Sequence, residues 1–100
     1  MQKPEILSRL LDPGIVAIMR ADSSDQLADA ANALRDGGVT AMEVTMTTPG
    51  ALDVIAAVRK NFGDEILIGV GSVLDTETCR ASILAGAEFV VTPVLLPDVI

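Results

Sequence analysis

The chain alternates short apolar segments with amphipathic ones, and this alternation limits the possible fold more than any other feature of the sequence. The apolar segments predict β-strands over residues 15–20, 41–46, 66–70 and 88–92. Apolar residues at helical spacing predict helices between them, after a lead-in helix over residues 4–11. One βα unit per ~25 residues suits right-handed parallel crossovers. The residues alone therefore predict an α/β fold, either an open doubly wound sheet or half of a (β/α)8 barrel.

Several local signals predict where elements begin and how deeply they are buried. The first strand is apolar without interruption, which predicts burial on both faces. Ser23 with Gln26 predicts a capping box at the start of the next helix. Thr48 is predicted to cap the following helix with Pro49 in its first position, and Asp75 to cap the one after that.

Length and charge bound the class of protein. The chain has 100 residues, which predicts one domain over residues 1–100 with about four βα units. Acidic residues outnumber basic ones by 14 to 7, and Trp, Tyr and His are absent, which argues against nucleic acids and anionic membranes as partners. The first residues lack a signal-peptide core and the apolar runs are too short to span a bilayer, so we expect a soluble, cytoplasmic protein.

The sequence offers no recognisable metal or cofactor motif. Cys79 is the only cysteine, so we expect neither a disulfide framework nor a zinc site. The glycine pair Gly69 and Gly71 lacks the third glycine of a dinucleotide-binding loop, and no phosphate-binding P-loop is present. Without histidine, no serine can be activated as in a catalytic triad. We therefore expect no bound metal and no cofactor.

Glu43 is the most conspicuous candidate functional residue. It lies inside an apolar strand, where a carboxylate costs several kcal/mol of desolvation unless it is paired, hydrogen-bonded or protonated. Two explanations stay open from this stretch alone. Glu43 either faces solvent on an edge strand or caps a backbone amine, or it is a functional group with an adjusted pKa.

Polar or turn-forming residues follow each predicted strand at its carboxyl end, where ligands bind in parallel α/β folds. These residues are Arg20, Thr45 with Thr47, Gly71 with Ser72, and Thr92 with Pro93. Loop ends are polar in many proteins, so the pattern also has an ordinary explanation. For Arg20, that explanation is a salt bridge to Asp22 or to another surface acid.

Four segments resemble the amino-terminal half of the 2-keto-3-deoxy-6-phosphogluconate (KDPG) and 4-hydroxy-2-oxoglutarate (KHG) aldolases. They read I-V-A-I-M-R-A, G-G-V-x-x-M-E-V-T-M-T-T-P, G-V-G-S-V and A-G-A-E-F-V-V-T-P, in order and with compatible spacing from residue 14 onward. The resemblance implies the first half of a TIM (β/α)8 barrel preceded by a short helix. It also implies Schiff-base (class I) cleavage of a 2-keto acid to pyruvate and an aldehyde, without a cofactor, in a homo-oligomer, for which the family suggests a trimer.

The resemblance also implies roles for individual residues. Glu43 matches the general acid/base of the family. Ser72 stands where the family usually has Thr, and would bind the pyruvyl carboxylate. Thr92 and Pro93 match the Ser/Thr-Pro step that lines the pocket. Thr47 stands where several members carry a substrate-binding Arg, which leaves Arg20 as the candidate cation for the carboxylate.

The family's Schiff-base lysine and phosphate site match no residue of this chain. Lys3 precedes the first helix and Lys60 ends a later one, so neither is expected to reach the pocket. We therefore expect a fragment that is inactive alone. Two alternatives stay open: a non-catalytic half-barrel that self-associates through its edge strands, and another phosphosugar barrel enzyme. The identity and stereochemistry of the keto acid are not fixed by these residues.

Overall fold

Strands and helices alternate along the chain in a computed structural model, which describes residues 1–20 and 23–100. The elements are, in order, α1 (Lys3–Leu11), β1 (Val16–Met19), α2 (Ser24–Asp36), β2 (Ala41–Thr45), α3 (Ala51–Phe62), β3 (Leu67–Gly71), α4 (Thr76–Ala85) and β4 (Phe89–Val90). A short 3₁₀ helix, Gly63–Glu65, links α3 to β3. The predicted order of helices and strands is confirmed, although β3 begins one residue later than predicted and β4 is shorter.

The four strands form one parallel sheet in the order β1-β2-β3-β4. Register places one row of residues directly across the sheet: Ile18, Glu43, Gly69 and Phe89. The next row consists of Met19, Val44, Val70 and Val90. Because side chains alternate between the faces of a strand, the two rows point to opposite sides of the sheet. We call the side of Glu43 the inner face and the side of Val44 the outer face.

The main hydrophobic core lies between the outer face and the helices. Val44 and Val70 are fully buried there against Leu27 of α2 and Ile55 of α3. Burying a side chain of this size stabilises the fold by about 1.5–3 kcal/mol. This layer fixes the helices on one side and leaves the inner face for other uses. Among the described residues, no helix is long and apolar enough to cross a membrane.

The prediction that the first strand is buried on both faces is wrong. Met19 is buried, but Ile18 is 61% exposed and Val16 is also exposed. β1 is an edge of the sheet, and α2 covers its outer face only. Its uninterrupted apolar sequence therefore places exposed apolar side chains on the inner face.

The helix α3 does not start as predicted at Thr48 and Pro49. It begins at Ala51, and its N-cap is Gly50 in the left-handed conformation, with φ of 68°. This conformation, which glycine adopts at little cost, interrupts the helical path between Pro49 and Ala51. Thr48 instead belongs to the turn after β2, where its N–H donates to the carbonyl of Thr45 at 3.0 Å.

The predicted N-caps of α2 and α4 have different outcomes. Ser23 is at the N-cap of α2 with extended backbone, but its side chain makes no capping hydrogen bond, so the predicted capping box with Gln26 is wrong. Asp75 caps α4 as predicted, because its carboxylate accepts a hydrogen bond of 2.9 Å from the Thr78 N–H. The Thr78 hydroxyl also donates to this carboxylate, at 2.7 Å, and together the two hydrogen bonds hold the pKa of Asp75 below its usual value.

Candidate active site

Glu43 is a nearly buried carboxylate on the inner face of the sheet. It lies at the middle of β2, between β1 and β3, and is 7% exposed. Its position in a central strand rules out the edge-strand explanation. Within residues 1–20 and 23–100, no hydrogen bond to its carboxylate is present, so it does not cap a backbone amine there. Burial raises the pKa of Glu43, and the nearby positive charge of Arg20 opposes this shift.

The carboxylate of Glu43 lies over Gly71. A Cβ atom added to Gly71 would overlap Oε1 of Glu43 and would lie 3.1 Å from its Cγ. Gly71 is not the register partner of Glu43, which is Gly69. The side chain of Glu43 therefore leans along the strand toward the carboxyl end of the sheet, as strand side chains do. Sequence reasoning noted both glycines but did not connect either one with Glu43.

Three threonine hydroxyls form a cluster where β2 ends. Thr45 is 2% exposed, and its Oγ1 lies 2.9 Å from Oγ1 of Thr47 and 3.4 Å from Oγ1 of Thr48. Thr45 is two residues after Glu43, so both side chains are on the inner face. Thr47, a predicted substrate-binding residue, is exposed and lies two residues after the end of the strand. This cluster places hydroxyls beside the carboxylate at the same end of the sheet.

Ser72 follows Gly71 at the end of β3 and has an unusual backbone. Its φ of 61° lies in the left-handed region, and it is the one non-glycine residue in the described chain with a positive φ. Such a conformation costs of the order of 1 kcal/mol or more and is common at functional sites. The next residue is anchored, because Val73 donates its N–H to the carbonyl of Val91 at 3.3 Å. The Ser72 side chain is half-buried and adjacent to the glycine over which Glu43 lies.

Arg20 lies at the end of β1 and is exposed. It lines a cleft of about 430 Å³ together with residues of β1 and α2. Its charge acts on the Glu43 carboxylate, although the two do not form a salt bridge. The alternative partner Asp22 lies outside the described residues.

Thr92 and Pro93 lie farther from Glu43. They follow β4, which is two strands from β2, a separation of about 10 Å across the sheet. The Thr92 hydroxyl donates to the carbonyl of Val94 at 2.7 Å. Thr92 lines a cavity of about 720 Å³ with Phe89 and Lys3. Glu43 is not part of that lining.

Phe89 is a feature of the inner face that sequence reasoning missed. Its ring lies against Gly69, where an added Cβ would overlap three atoms of the ring. The two glycines of β3 therefore make room for two different groups, an aromatic ring and a carboxylate. In the part of the chain that the structure describes, no three His, Cys, Asp or Glu residues are grouped so that they could hold a metal ion.

Comparison with known proteins shows what this arrangement resembles. The family model "Aldolase: KDPG and KHG aldolase" matches residues 6–100. A curated relative from Treponema pallidum, a 2-dehydro-3-deoxy-phosphogluconate aldolase, is 38% identical over 96 residues. That match covers 96% of this chain and 44% of the relative.

Two solved structures have the same fold. The KDPG aldolase of Zymomonas mobilis ZM4, determined with 3-phosphoglycerate, superposes with a TM-score of 0.85 at 28% identity, over 98% of this chain and 46% of that one. The KDPG aldolase of Legionella pneumophila, with pyruvate captured as a covalent carbinolamine, superposes with a TM-score of 0.79 at 27% identity. This superposition covers 84% of this chain and 40% of the Legionella pneumophila protein.

The matched region spans less than half the length of each of these three proteins. The structure corresponds to the amino-terminal half of their TIM (β/α)8 barrel, with four parallel strands, their helices and a short preceding helix. This decides between the two architectures that the sequence left open. The chain belongs to the KDPG and KHG aldolase family.

Proposed function

We propose that this chain supplies the general acid/base of a Schiff-base aldolase. The reaction is cleavage of 2-keto-3-deoxy-6-phosphogluconate, or of 4-hydroxy-2-oxoglutarate, to pyruvate and an aldehyde. The observation that carries the proposal is Glu43, a nearly buried carboxylate with a raised pKa and no hydrogen-bond partner among the described residues. Membership of the aldolase family supports aldol cleavage over the other phosphosugar chemistries that the sequence left open.

Burial suits Glu43 to move protons in both directions. A raised pKa lowers the free-energy cost of protonating the carboxylate near neutral pH, which suits a group that must both donate and accept a proton. Protonated Glu43 donates a proton to the oxygen that leaves as water when the carbinolamine becomes an imine. In the cleavage direction, the resulting carboxylate removes the proton of the C4 hydroxyl group as the C3–C4 bond breaks, which releases the aldehyde and leaves an enamine. Glu43 then returns this proton to C3 of the enamine, which gives the pyruvyl imine that water hydrolyses. Arg20 stabilises the charged form through its positive charge, which opposes the effect of burial.

The other polar residues of this end of the sheet are assigned to substrate binding. Arg20 is the cation for the keto-acid carboxylate, and the half-buried Ser72 offers a hydroxyl to the same group. Thr47 is exposed and its hydroxyl is held by Thr45, so it can contact the substrate from β2. Thr92 and Pro93 follow β4, about 10 Å from β2 across the sheet, and are assigned to a part of the substrate that lies away from Glu43. The Thr92 hydroxyl donates to Val94, so it is available to the substrate as an acceptor.

The nucleophilic lysine is not expected among the lysines of this chain. Lys60 lies in the last turn of α3, at the amino end of the sheet and opposite the end where Glu43 points. Lys3 lines the cavity that contains Thr92, but Glu43 does not line it. We therefore expect that the chain alone forms no adduct with labelled pyruvate on borohydride reduction. A labelled Lys3 or Lys60 in the peptide map would contradict this, and Lys3→Arg and Lys60→Arg would identify which lysine reacts.

The proposed role of Glu43 is tested in a chimera. Residues 1–100 replace the matched part of the Treponema pallidum relative, and cleavage of the phosphorylated keto acid is followed as pyruvate release. We expect activity, and a loss of about 10²–10⁴-fold in kcat with Glu43→Gln, the usual contribution of a general acid/base. Glu5→Gln, which removes an exposed carboxylate from α1, is the control and is expected to retain activity. Full activity of the Glu43→Gln chimera would refute the role.

Self-association is a second candidate property, and the exposed inner face of β1 favours it. Ile18 and Val16 are exposed, and β1 and β4 are unpaired edges of the sheet in the described chain. Exposed apolar edge strands favour pairing with another chain. We propose that the chain forms a homo-oligomer. Pairing through these edges would give a dimer of two half-barrels, whereas a trimer is suggested by the family alone. Sedimentation at micromolar concentration tests this, and a folded monomer would contradict it. Ile18→Lys should shift any oligomer toward monomer.

A further inference from the structure

The two glycines of β3 are on the inner face, where a side chain would ordinarily be. Gly69 and Gly71 are both buried, two residues apart, so both point to the side of Glu43. Neither has a φ in the left-handed region, so neither glycine is required by the backbone conformation. Glycine is therefore needed at these positions because any side chain would occupy space that neighbouring groups already fill.

The space is used differently at the two positions. A side chain at Gly69 would meet the ring of Phe89, whereas one at Gly71 would meet Oε1, Cδ and Cγ of Glu43. Both neighbours are the ends of side chains that can rotate away, so a methyl group at either position moves the neighbour rather than the backbone. The Phe89 ring already occupies the region over Gly69, which is the register partner of Glu43. The Glu43 carboxylate therefore has room over Gly71, at the carboxyl end of β3, and not over Gly69 nearer its amino end.

We propose that Gly71 is a positioning residue for Glu43: its missing side chain creates the space over β3 in which the carboxylate lies, next to the Ser72 loop. Phe89 closes the opposite side of that space by its contact with Gly69. Gly71 itself touches no reacting atom. The catalytic consequence rests on the proposed role of Glu43, but the positioning does not.

The first test measures the protonation of Glu43 in Gly71→Ala. The pKa of the residue is followed by ¹³C NMR of labelled glutamate in the 100-residue chain, with Glu43→Gln used to assign the signal. The methyl group pushes the carboxylate off β3 toward solvent, since Phe89 occupies the other side. The pKa of Glu43 is then expected to fall toward the ordinary value, because burial is the cause of its upward shift. Arg20 is the charged group that acts on Glu43, and it is unchanged in this variant.

Gly69→Ala is the matched control. It adds the same methyl group to the same strand and face, but it displaces the Phe89 ring instead of the carboxylate. We expect the Glu43 pKa to change less in this variant than in Gly71→Ala, because the space over Gly71 in which the carboxylate lies is unchanged. An equal shift in both variants, or no shift in Gly71→Ala, would overturn the proposal.

A rescue experiment covers the case in which Gly71→Ala folds poorly. Aspartate is one methylene shorter than glutamate, so Glu43→Asp leaves room for a methyl group at position 71. The double variant Glu43→Asp/Gly71→Ala is expected to recover a large part of the denaturation midpoint lost in Gly71→Ala. In the Gly69→Ala background, Glu43→Asp is expected to bring no recovery. Absence of recovery at position 71 would show that the glycine serves something other than the carboxylate.

The two proposals fail in different ways. If the pKa shift and the rescue are observed but the chimera with Gly71 intact has no activity, the proposed function is wrong and the positioning stands. If the chimera is active and Gly71→Ala lowers kcat no more than Gly69→Ala, the positioning has no catalytic consequence. We expect Gly71→Ala to lower kcat at least tenfold more than Gly69→Ala and to move the pH profile of kcat to lower pH.

Discussion

Charged side chains lie at both ends of the sheet, but their surroundings differ. At the amino ends of the strands, Arg59 pairs with Glu88 at 2.7 Å and Arg35 pairs with Glu65 at 2.9 Å. The guanidinium of Arg35 also lies 5.2 Å from the centre of the Phe62 ring. Toward the carboxyl ends, Glu43 is more deeply buried than Arg59 or Arg35 and has no ion pair among the described residues.

This difference separates groups that stabilise the fold from one that costs stability. At the amino end the buried carboxylate of Glu88 is paired with Arg59, as expected for a buried charge that has no role in a reaction. At the carboxyl end the desolvation of Glu43 is opposed only by the charge of Arg20 and by no hydrogen bond or ion pair among the described residues, which is typical of a functional group whose reactivity depends on that environment. In (β/α)8 barrels, function also concentrates at the carboxyl face and stability at the amino face. The following substitutions test this contrast.

The largest effect is expected at the amino end, with Arg59→Met. Methionine keeps an unbranched apolar chain where the Arg59 side chain packs over Gly86. It leaves the Glu88 carboxylate, whose side chain is 9% exposed, without its partner. A buried charge that loses its partner is strongly destabilising, so the free energy of unfolding should fall by about 3 kcal/mol. Urea denaturation measures the change. Arg59→Met/Glu88→Gln should recover part of the loss, and a loss below about 0.5 kcal/mol for Arg59→Met would contradict the pairing.

Glu43→Gln is expected to have the opposite sign. The native pKa of Glu43 is above its ordinary value of 4.5, so the native state binds more protons than the unfolded state as pH rises through the interval between the two pKa values. The wild-type protein therefore loses stability across that interval, and glutamine does not. At neutral pH we expect a gain of roughly 1–2 kcal/mol, the usual size of a stabilising substitution.

The pH dependence of the Glu43→Gln effect is its diagnostic feature. The gain should be largest above the native pKa and should disappear below the ordinary glutamate pKa, where both states are protonated. Urea denaturation at pH 3.5 and pH 8 measures this difference. Glu5→Gln, on the exposed surface of α1, is the control for glutamine substitution in general. A gain that is the same at both pH values would show that burial of the charge is not its cause.

Thr45→Val tests the hydroxyl cluster next to Glu43. The change keeps the shape of a side chain that is 2% exposed and removes the oxygen that contacts Thr47 and Thr48. Thr48 is also buried, so its hydroxyl is left without this partner, and the free energy of unfolding should fall by about 1 kcal/mol. Thermal denaturation measures the loss. Thr47→Val is the control, because Thr47 is exposed and water can replace its hydrogen bond; equal losses in both variants would contradict this account.

The sequence predicted the order of elements because each strand and helix carries its own periodicity and stop signal. It predicted the position of Glu43 in a buried strand for the same reason, and the Asp75 cap because that hydrogen bond is local. It failed at Thr48, where the left-handed Gly50 decides the helix start. It also failed at β1, because which face is covered depends on the neighbouring elements.

The features that the sequence did not predict are contacts between strands. The overlap of Glu43 with the space over Gly71, and of Phe89 with that over Gly69, depends on the register of three strands. Register across a parallel sheet is not specified by any short segment, because the pairing residues are far apart in sequence. A buried acid in one strand and glycines in the next were visible, but their contact was not.

The smallest effect is expected for Glu65→Gln, which breaks the ion pair between Glu65 and Arg35. The side chain of Glu65 is 64% exposed, and its partner Arg35 keeps Asp36 and the Phe62 ring as neighbours. Exposed ion pairs contribute little because water and salt screen them, so the urea midpoint should not change measurably. Raising the salt concentration to about 1 M shortens the Debye length to about 3 Å and should leave wild type and Glu65→Gln equal. A loss as large as that of Arg59→Met would show that burial does not distinguish the two pairs.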